Sequence, residues 1–164
     1  MRLIGIAGWK NAGKTTLAEG LVRELTRRGL RVATLKHAHH AADTDREGTD
    51  SHRHRLAGAT ETILATPARW ALMHELRGGP EPSLDALLAR LSPCDWAVAE
   101  GWKSHPHPKI WVHRAATGHP PPDPADATIR AVATDAPLPG AAIPLLPLSD
   151  PSAVADWLLA GGAR

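Results

Sequence analysis

The chain has 164 residues, a formal net charge of +2 and a single cysteine, Cys94. That length suits one domain over residues 1–164 with a sizeable core, and the near balance of scattered acids and bases excludes a broad nucleic-acid surface. One cysteine excludes an internal disulfide and points to a reducing cytoplasm, and no apolar run is long enough to span a bilayer.

Arg2-Leu3-Ile4-Gly5-Ile6-Ala7 is a short apolar run with the character of a buried parallel strand, and no signal peptide is expected ahead of it. It leads into Gly8-Trp9-Lys10-Asn11-Ala12-Gly13-Lys14-Thr15, which fits G-x-x-x-x-G-K-[ST] at every fixed position. A helix follows, with Leu17, Ala18, Leu21, Val22 and Leu25 on one face and the pairs Glu19/Arg23 and Glu24/Arg28 on the other. Gly29 ends it.

A phosphate chain needs many N–H donors converging on it, so the backbone must wrap closely around it. Gly8 and Gly13 permit that approach, and the helix start near Lys14 turns unpaired N–H groups toward the anion. Lys14 would bridge the outer phosphates, the Thr15 hydroxyl would hold Mg²⁺, and Thr16 lies toward the inner phosphate. Strand, loop and helix together make this a nucleotide-binding P-loop. The expected binding set is Gly8, Lys10, Asn11, Ala12, Gly13, Lys14, Thr15 and Thr16.

Residues 31–35 predict a second strand, joined to the first by a right-handed crossover. The polar segment 36–51 begins where such a strand ends, on the ligand side of an open α/β sheet. His37, His39 and His40 suggest metal ligands, but their spacing fits neither a zinc finger nor a helical pair. A solvated loop is the plainer alternative. The reading that fits best is a switch-like loop whose Asp43, Asp45 or Asp50 reaches the nucleotide's Mg²⁺; Asp45 is taken as the metal-binding and catalytic candidate. Asp50 or Ser51 caps a short basic helix over residues 51–57, whose Arg53 and Arg55 face either solvent or an anionic ligand.

Residues 60–65 and 69–74 predict two strands with a turn at Pro67. Ser83 caps a helix carrying Leu84, Leu87, Leu88 and Leu91. Asp95-Trp96-Ala97-Val98-Ala99-Glu100-Gly101 is a buried strand that delivers an acid at its end. Asp95 and Glu100 stand roughly 16 Å apart at the rise of a strand, so only Glu100 faces the phosphates. Glu100 is assigned to Mg²⁺ or water positioning and Asp95 to structure. Residues 109–114 form another strand, residues 117–126 a Pro-rich mobile loop, and residues 129–133 a strand followed by Asp135. An Asp there is placed to accept from the guanine N1 and N2 donors. Asp150-Pro151 starts the last helix.

Taken in order, these segments resemble one family: Gly8-x-Lys10-Asn11-x-Gly13-Lys14-Thr15-Thr16, Leu35-Lys36-His37-x-His39-His40, Asp45-x-x-Gly48-x-Asp50-Ser51-x-Arg53-His54-Arg55, Glu100-Gly101-x-Lys103 and Pro108-Lys109-Ile110-x-Val112-His113-Arg114. The chain is similar to MobB, the molybdopterin-guanine dinucleotide biosynthesis adapter proteins. Trp9, Thr49 and Ala42 depart from the residues common in that family. The resemblance implies an α/β P-loop NTPase fold, with a mainly parallel sheet flanked by helices and extra strands at a dimer interface, for which residues 60–73 and 109–114 are the candidates. It also implies a homodimer that binds GTP with weak hydrolysis, assisting the guanylyltransferase MobA, which joins GMP to molybdopterin. Neither nucleic acid nor membrane enters this expectation. Two alternatives stay open: a small-molecule kinase, and a metal-handling GTPase that uses the histidines.

Overall fold

The computed structural model describes residues 1–38 and 45–163. Of the residues singled out above, His39, His40, Ala42 and Asp43 lie outside them. The chain divides into two compact units, Met1–His37 with Leu84–Arg164, and Ala38–Ser83.

The first unit is built on a six-stranded, all-parallel sheet. Its strands are β1 (Arg2–Gly8), β2 (Val32–Lys36), β5 (Trp96–Glu100), β6 (Lys109–His113), β7 (Ile129–Thr134) and β8 (Leu145–Pro147), in the spatial order β2-β5-β1-β6-β7-β8. Parallel strands must be buried on both faces, and the near-continuous apolar runs of β1, β5 and β6 meet that demand. Side chains alternate across the sheet. Ile4, Ile6, Val98, Ile110, Val112, Ala131 and Ala133 point to one face and form the main core with Leu17, Leu21 and Leu25 of helix α1 (Lys14–Arg27) and Val154, Ala155 and Leu158. Ala7, Trp111, Ile129 and Val132 form a smaller cluster with Leu138 and Ile143.

Two helices close the main core. In α1 the expected pairs form, Arg23 to Glu19 at 2.6 Å and Arg28 to Glu24 at 2.8 Å. Arg28 reaches further, to Asp156 of α4 (Pro151–Trp157) at 2.6 Å, tying the two helices together. Helix α4 starts as expected: the Asp150 carboxylate accepts from the Ser152 and Ala153 amides, with Pro151 at the first helical position. Helix α3 (Leu84–Leu88) is shorter than its leucine pattern suggests and buries only Leu84. Strand β8 lay outside the expected elements, because three residues ending in Pro147 carry no periodic signal.

The assignment of residues 109–114 to a dimer interface is corrected. Strand β6 pairs with β1 on one side and β7 on the other, and all five of its residues are buried, so it offers no edge to a second chain.

The second unit holds helix α2 (Asp50–Leu56) and the antiparallel pair β3 (Glu61–Ala65) and β4 (Trp70–His74). The turn between the strands is closed by Thr66, whose amide and hydroxyl both donate to the Arg69 carbonyl. The cap of α2 is Thr49, in place of Asp50 or Ser51; its hydroxyl accepts from the His52 amide. Thr62 is buried on one face of the hairpin, while Ile63, Leu72 and Trp70 stand exposed on the other.

Candidate functional site

In a parallel sheet all carboxyl ends lie along one edge, and ligands bind in the crevice beyond it. Here that edge gathers the loop after β1, Glu100 at the end of β5 and Asp135 just past β7. The register places Glu100 beside Ile6 on one neighbour and Lys36 on the other.

The loop after β1 is shaped by backbone that a larger residue would block. Gly8 runs so close to β6 that an added Cβ would stand 2.5 Å from the Val112 carbonyl oxygen. Gly13 precedes α1 with φ 100°, a left-handed conformation that L side chains seldom adopt. The first turn of α1 carries no side-chain cap and no acid. Its amides and the positive end of its dipole are therefore left for an external anion. Ala12 is buried, whereas Trp9, Lys10, Asn11, Thr15 and Thr16 are exposed along the rim.

The polar groups converge on Thr15. Its hydroxyl donates to Glu100 Oε1 at 2.8 Å, and Lys36 Nζ stands 3.5 Å from the same hydroxyl and 3.7 Å from Glu100 Oε2. A hydroxyl beside a carboxylate is a donor set suited to a hard divalent cation such as Mg²⁺. Lys14 Nζ donates to the Trp9 carbonyl at 2.7 Å. Burial first, and the neighbouring Lys103 next, hold the Lys14 amine below the usual lysine pKa.

Other expected residues are engaged differently. Asp135 Oδ1 accepts from the Ala115 amide at 2.9 Å, and Arg114 Nη1 is 3.7 Å from Oδ2. Arg114 also donates from Nε to the Ala12 carbonyl, so this arginine links Asp135 to the loop after β1. Asp45 belongs to the second unit. Its carboxylate is almost wholly buried and accepts from the Ser51 hydroxyl at 2.9 Å, the Thr49 hydroxyl at 3.2 Å and Arg55 Nη1 at 3.3 Å. Arg55 continues to Glu75 at 2.6 Å. Asp95 is structural, accepting the Arg31 amide at 2.7 Å. His37 donates its amide to the Glu100 carbonyl and tilts against Trp102. Among the described residues, no group of three or more His, Cys, Asp or Glu is placed to hold a metal ion.

Comparison with known proteins agrees with this architecture. The family model for molybdopterin guanine dinucleotide synthesis protein B, MobB, matches residues 3–135. The chain belongs to the MobB family. It is 44% identical over 139 residues to the molybdopterin-guanine dinucleotide biosynthesis adapter protein of Haemophilus influenzae, covering 83% of this chain and 76% of that protein. The corresponding Escherichia coli adapter protein is 39% identical over 160 residues, covering 96% and 91%. The MobB homolog of Bacillus stearothermophilus, solved by crystallography, superposes with a TM-score of 0.71 at 30% identity over 99% of this chain and 98% of that one. The MobB fold is accordingly the P-loop NTPase-like α/β arrangement of a mainly parallel six-stranded sheet flanked by helices.

Reading single motifs missed three groups that help shape this edge. Arg114 and Lys36 stand in the family-like segments and Trp9 among the departures from them, but the sequence assigned none of the three a role at the site. Each acts through a partner far along the chain, which local spacing does not reveal.

Proposed function

We propose that this protein is a GTP-binding adapter in the synthesis of molybdopterin guanine dinucleotide, assisting a MobA-type guanylyltransferase that attaches GMP to molybdopterin. The observation that carries the nucleotide part is the meeting of Thr15 and Glu100 beside the uncapped start of α1. Amides of residues 13–16 and the Lys14 amine would bind the phosphates. Thr15 and Glu100 would hold Mg²⁺, which when bound supplies charge neutralisation on the outer phosphates. Asp45 keeps its partners in the second unit under this reading and carries no metal. For Asp135 to read guanine, its carboxylate would exchange the Ala115 amide for the base. Hydrolysis would be slow, because phosphoryl transfer depends on charge placed at the terminal phosphate, and among the described residues Arg114, the arginine beside this loop, is engaged with the Ala12 carbonyl and Asp135. A homodimer is part of the proposal, with the exposed Ile63, Leu72 and Trp70 face of the hairpin as its contact.

Calorimetry with Mg²⁺ and GTP or ATP tests this, with Lys14→Ala as control. GTP preference lost in the variant supports the reading, and co-purification with the guanylyltransferase then tests the adapter role. Equal affinity for ATP would remove Asp135 as a guanine reader. Binding unaffected by Lys14→Ala would remove the P-loop from the function.

A further inference from the structure

Lys103 lies three residues past Glu100, in the loop that leaves β5. Its ammonium sits 4.4 Å from the ring centre of Trp9 and 5.6 Å from that of Trp111. Trp9 is itself a P-loop residue, and its indole is fixed from several sides. Nε1 donates to the Pro120 carbonyl at 3.0 Å, the ring stacks on His119 at 5.5 Å, and Trp111 meets it edge-on at 6.1 Å. The Trp9 carbonyl receives Lys14 Nζ. Trp9 thus holds Lys14 at its backbone carbonyl and Lys103 over its ring. Lys14 and Lys103 therefore both gather at Trp9, and Lys36 stands 3.7 Å from Glu100, so three lysines line the mouth of the P-loop.

Such crowding is unfavourable unless an anion resolves it. The aromatic rings offer Lys103 a resting place, since a cation over an exposed indole is held, but more weakly than by a charge-assisted hydrogen bond to a phosphate oxygen. We propose that Lys103 is a second phosphate-binding cation of this P-loop, parked over Trp9 and drawn from there onto the outermost phosphate of a bound triphosphate. The triphosphate carries more charge than a diphosphate and extends further, so Lys103 sets preference for the triphosphate form. Trp9 reports the transfer, because the cation leaves its ring. This rests on the P-loop reading above and adds a residue and a selectivity to it.

The test uses the full chain as wild type, Lys103→Met and Lys103→Arg, with Lys14→Ala marking loss of the P-loop. Calorimetry is run with Mg²⁺-GTP, Mg²⁺-GDP and inorganic tripolyphosphate. Lys103→Met is expected to weaken GTP and tripolyphosphate by about tenfold or more, the equivalent of one hydrogen bond to a charged group, and GDP much less. Lys103→Arg keeps the cation and most of the affinity. The chain has six Trp and neither Phe nor Tyr, so intrinsic emission is all tryptophan. Its change on GTP binding is expected in wild type and absent from Lys103→Met and from Trp9→Leu. Equal GTP affinity in wild type and Lys103→Met overturns the proposal, as do equal losses for GTP and GDP. A lowered melting temperature with lost binding in both Lys103 variants also overturns it, because Lys103 would then be structural. If tripolyphosphate binds through Lys103 but GTP binds no better than tripolyphosphate, the nucleotide reading fails while Lys103 stands. If wild type binds neither, both fall.

Discussion

The Thr15 hydroxyl donates to Glu100 Oε1 at 2.8 Å, joining two residues 85 positions apart in the chain. One lies in the first turn of α1 and the other closes β5, and they meet because β1 and β5 run side by side in parallel. Glu100→Gln keeps the side-chain shape and a hydrogen-bonding oxygen for Thr15 but removes the negative charge facing a cation. Loss of a charged contact of this kind is worth about 1.5–3 kcal/mol, so Mg²⁺ should improve GTP binding at least tenfold less than in wild type. Calorimetry with and without Mg²⁺ measures this. The same Mg²⁺ dependence in both proteins would take the metal away from Glu100.

Lys109 is 2% exposed, yet its ammonium is fully used: it donates to the His105 carbonyl at 2.6 Å, the His107 carbonyl at 3.3 Å and Thr128 Oγ1 at 2.6 Å. Three donors meet three acceptors, which is the condition for tolerating a buried amine. Lys109→Met fits the volume but strands all three acceptors. Each unsatisfied buried group costs about 1–3 kcal/mol, and with partial relaxation a loss of roughly 2–5 kcal/mol is expected. Urea denaturation reads it directly. A loss below 1 kcal/mol would mean that water enters and replaces the amine.

The local patterns were readable because their causes are local. A strand, a glycine-bearing loop and a helix start follow one another within residues 2–15, and spacing alone identifies them. Glu100 was also accessible, since a strand's direction decides which of two acids reaches the ligand edge. Lys109 was not: a lysine beginning a strand reads as a surface residue until Thr128 and the turn at residues 105–107 close over it. The same limit hid Trp9, Lys103 and His119, which come from three separate loops. Asp45 shows the converse. Its place in the polar segment after the second strand suggested a metal ligand, and the contacts its carboxylate makes, with Thr49, Ser51 and Arg55, are ones that segment did not reveal. Strand order and the central position of β6 are set by long-range pairing, and no short stretch encodes them.

His107 gives stability a defined pH dependence. Burial, then the charge of Lys109 and of His105, pushes its pKa down from the ordinary 6.5 to about 4, against smaller opposing pulls from a hydrogen bond with the His105 backbone and from the Asp85 charge. Its ring packs over Gly5, and its Nδ1 lies 3.1 Å from His105 Nδ1. The unfolded chain takes up the proton below pH 6.5, while the folded chain resists until about 4. The unfolded state therefore binds more protons in that window, and stability rises with pH across it. The contribution is complete above the unfolded value and lost as pH falls toward 4, with a ceiling of about 3 kcal/mol at 1.36 kcal/mol per pKa unit. Urea midpoints across the window measure it, and His107→Gln should flatten the curve. An unchanged slope in that variant would assign the dependence to other groups.

Gly20 sits in the middle of α1, where alanine is normally better by about 1 kcal/mol. Here an added methyl would stand 2.5 Å from Cγ and 3.0 Å from Cβ of Pro151, the first residue of α4. The proline ring has almost no freedom to turn aside, and Arg28 holds α4 in place through Asp156 and the Ser152 carbonyl. Overpacking of this kind costs typically about 1–3 kcal/mol, enough to cancel the gain in helix propensity and reverse its sign. Gly20→Ala should thus lower the melting temperature by several degrees, at about 2–4 °C per kcal/mol for a chain of this size. Adding Arg28→Ala releases α4 from that tie, so the penalty of the alanine should shrink in the double variant. If Gly20→Ala instead raises the melting temperature, α4 yields to the methyl, and the contact between the helices is looser than the Arg28–Asp156 pair implies.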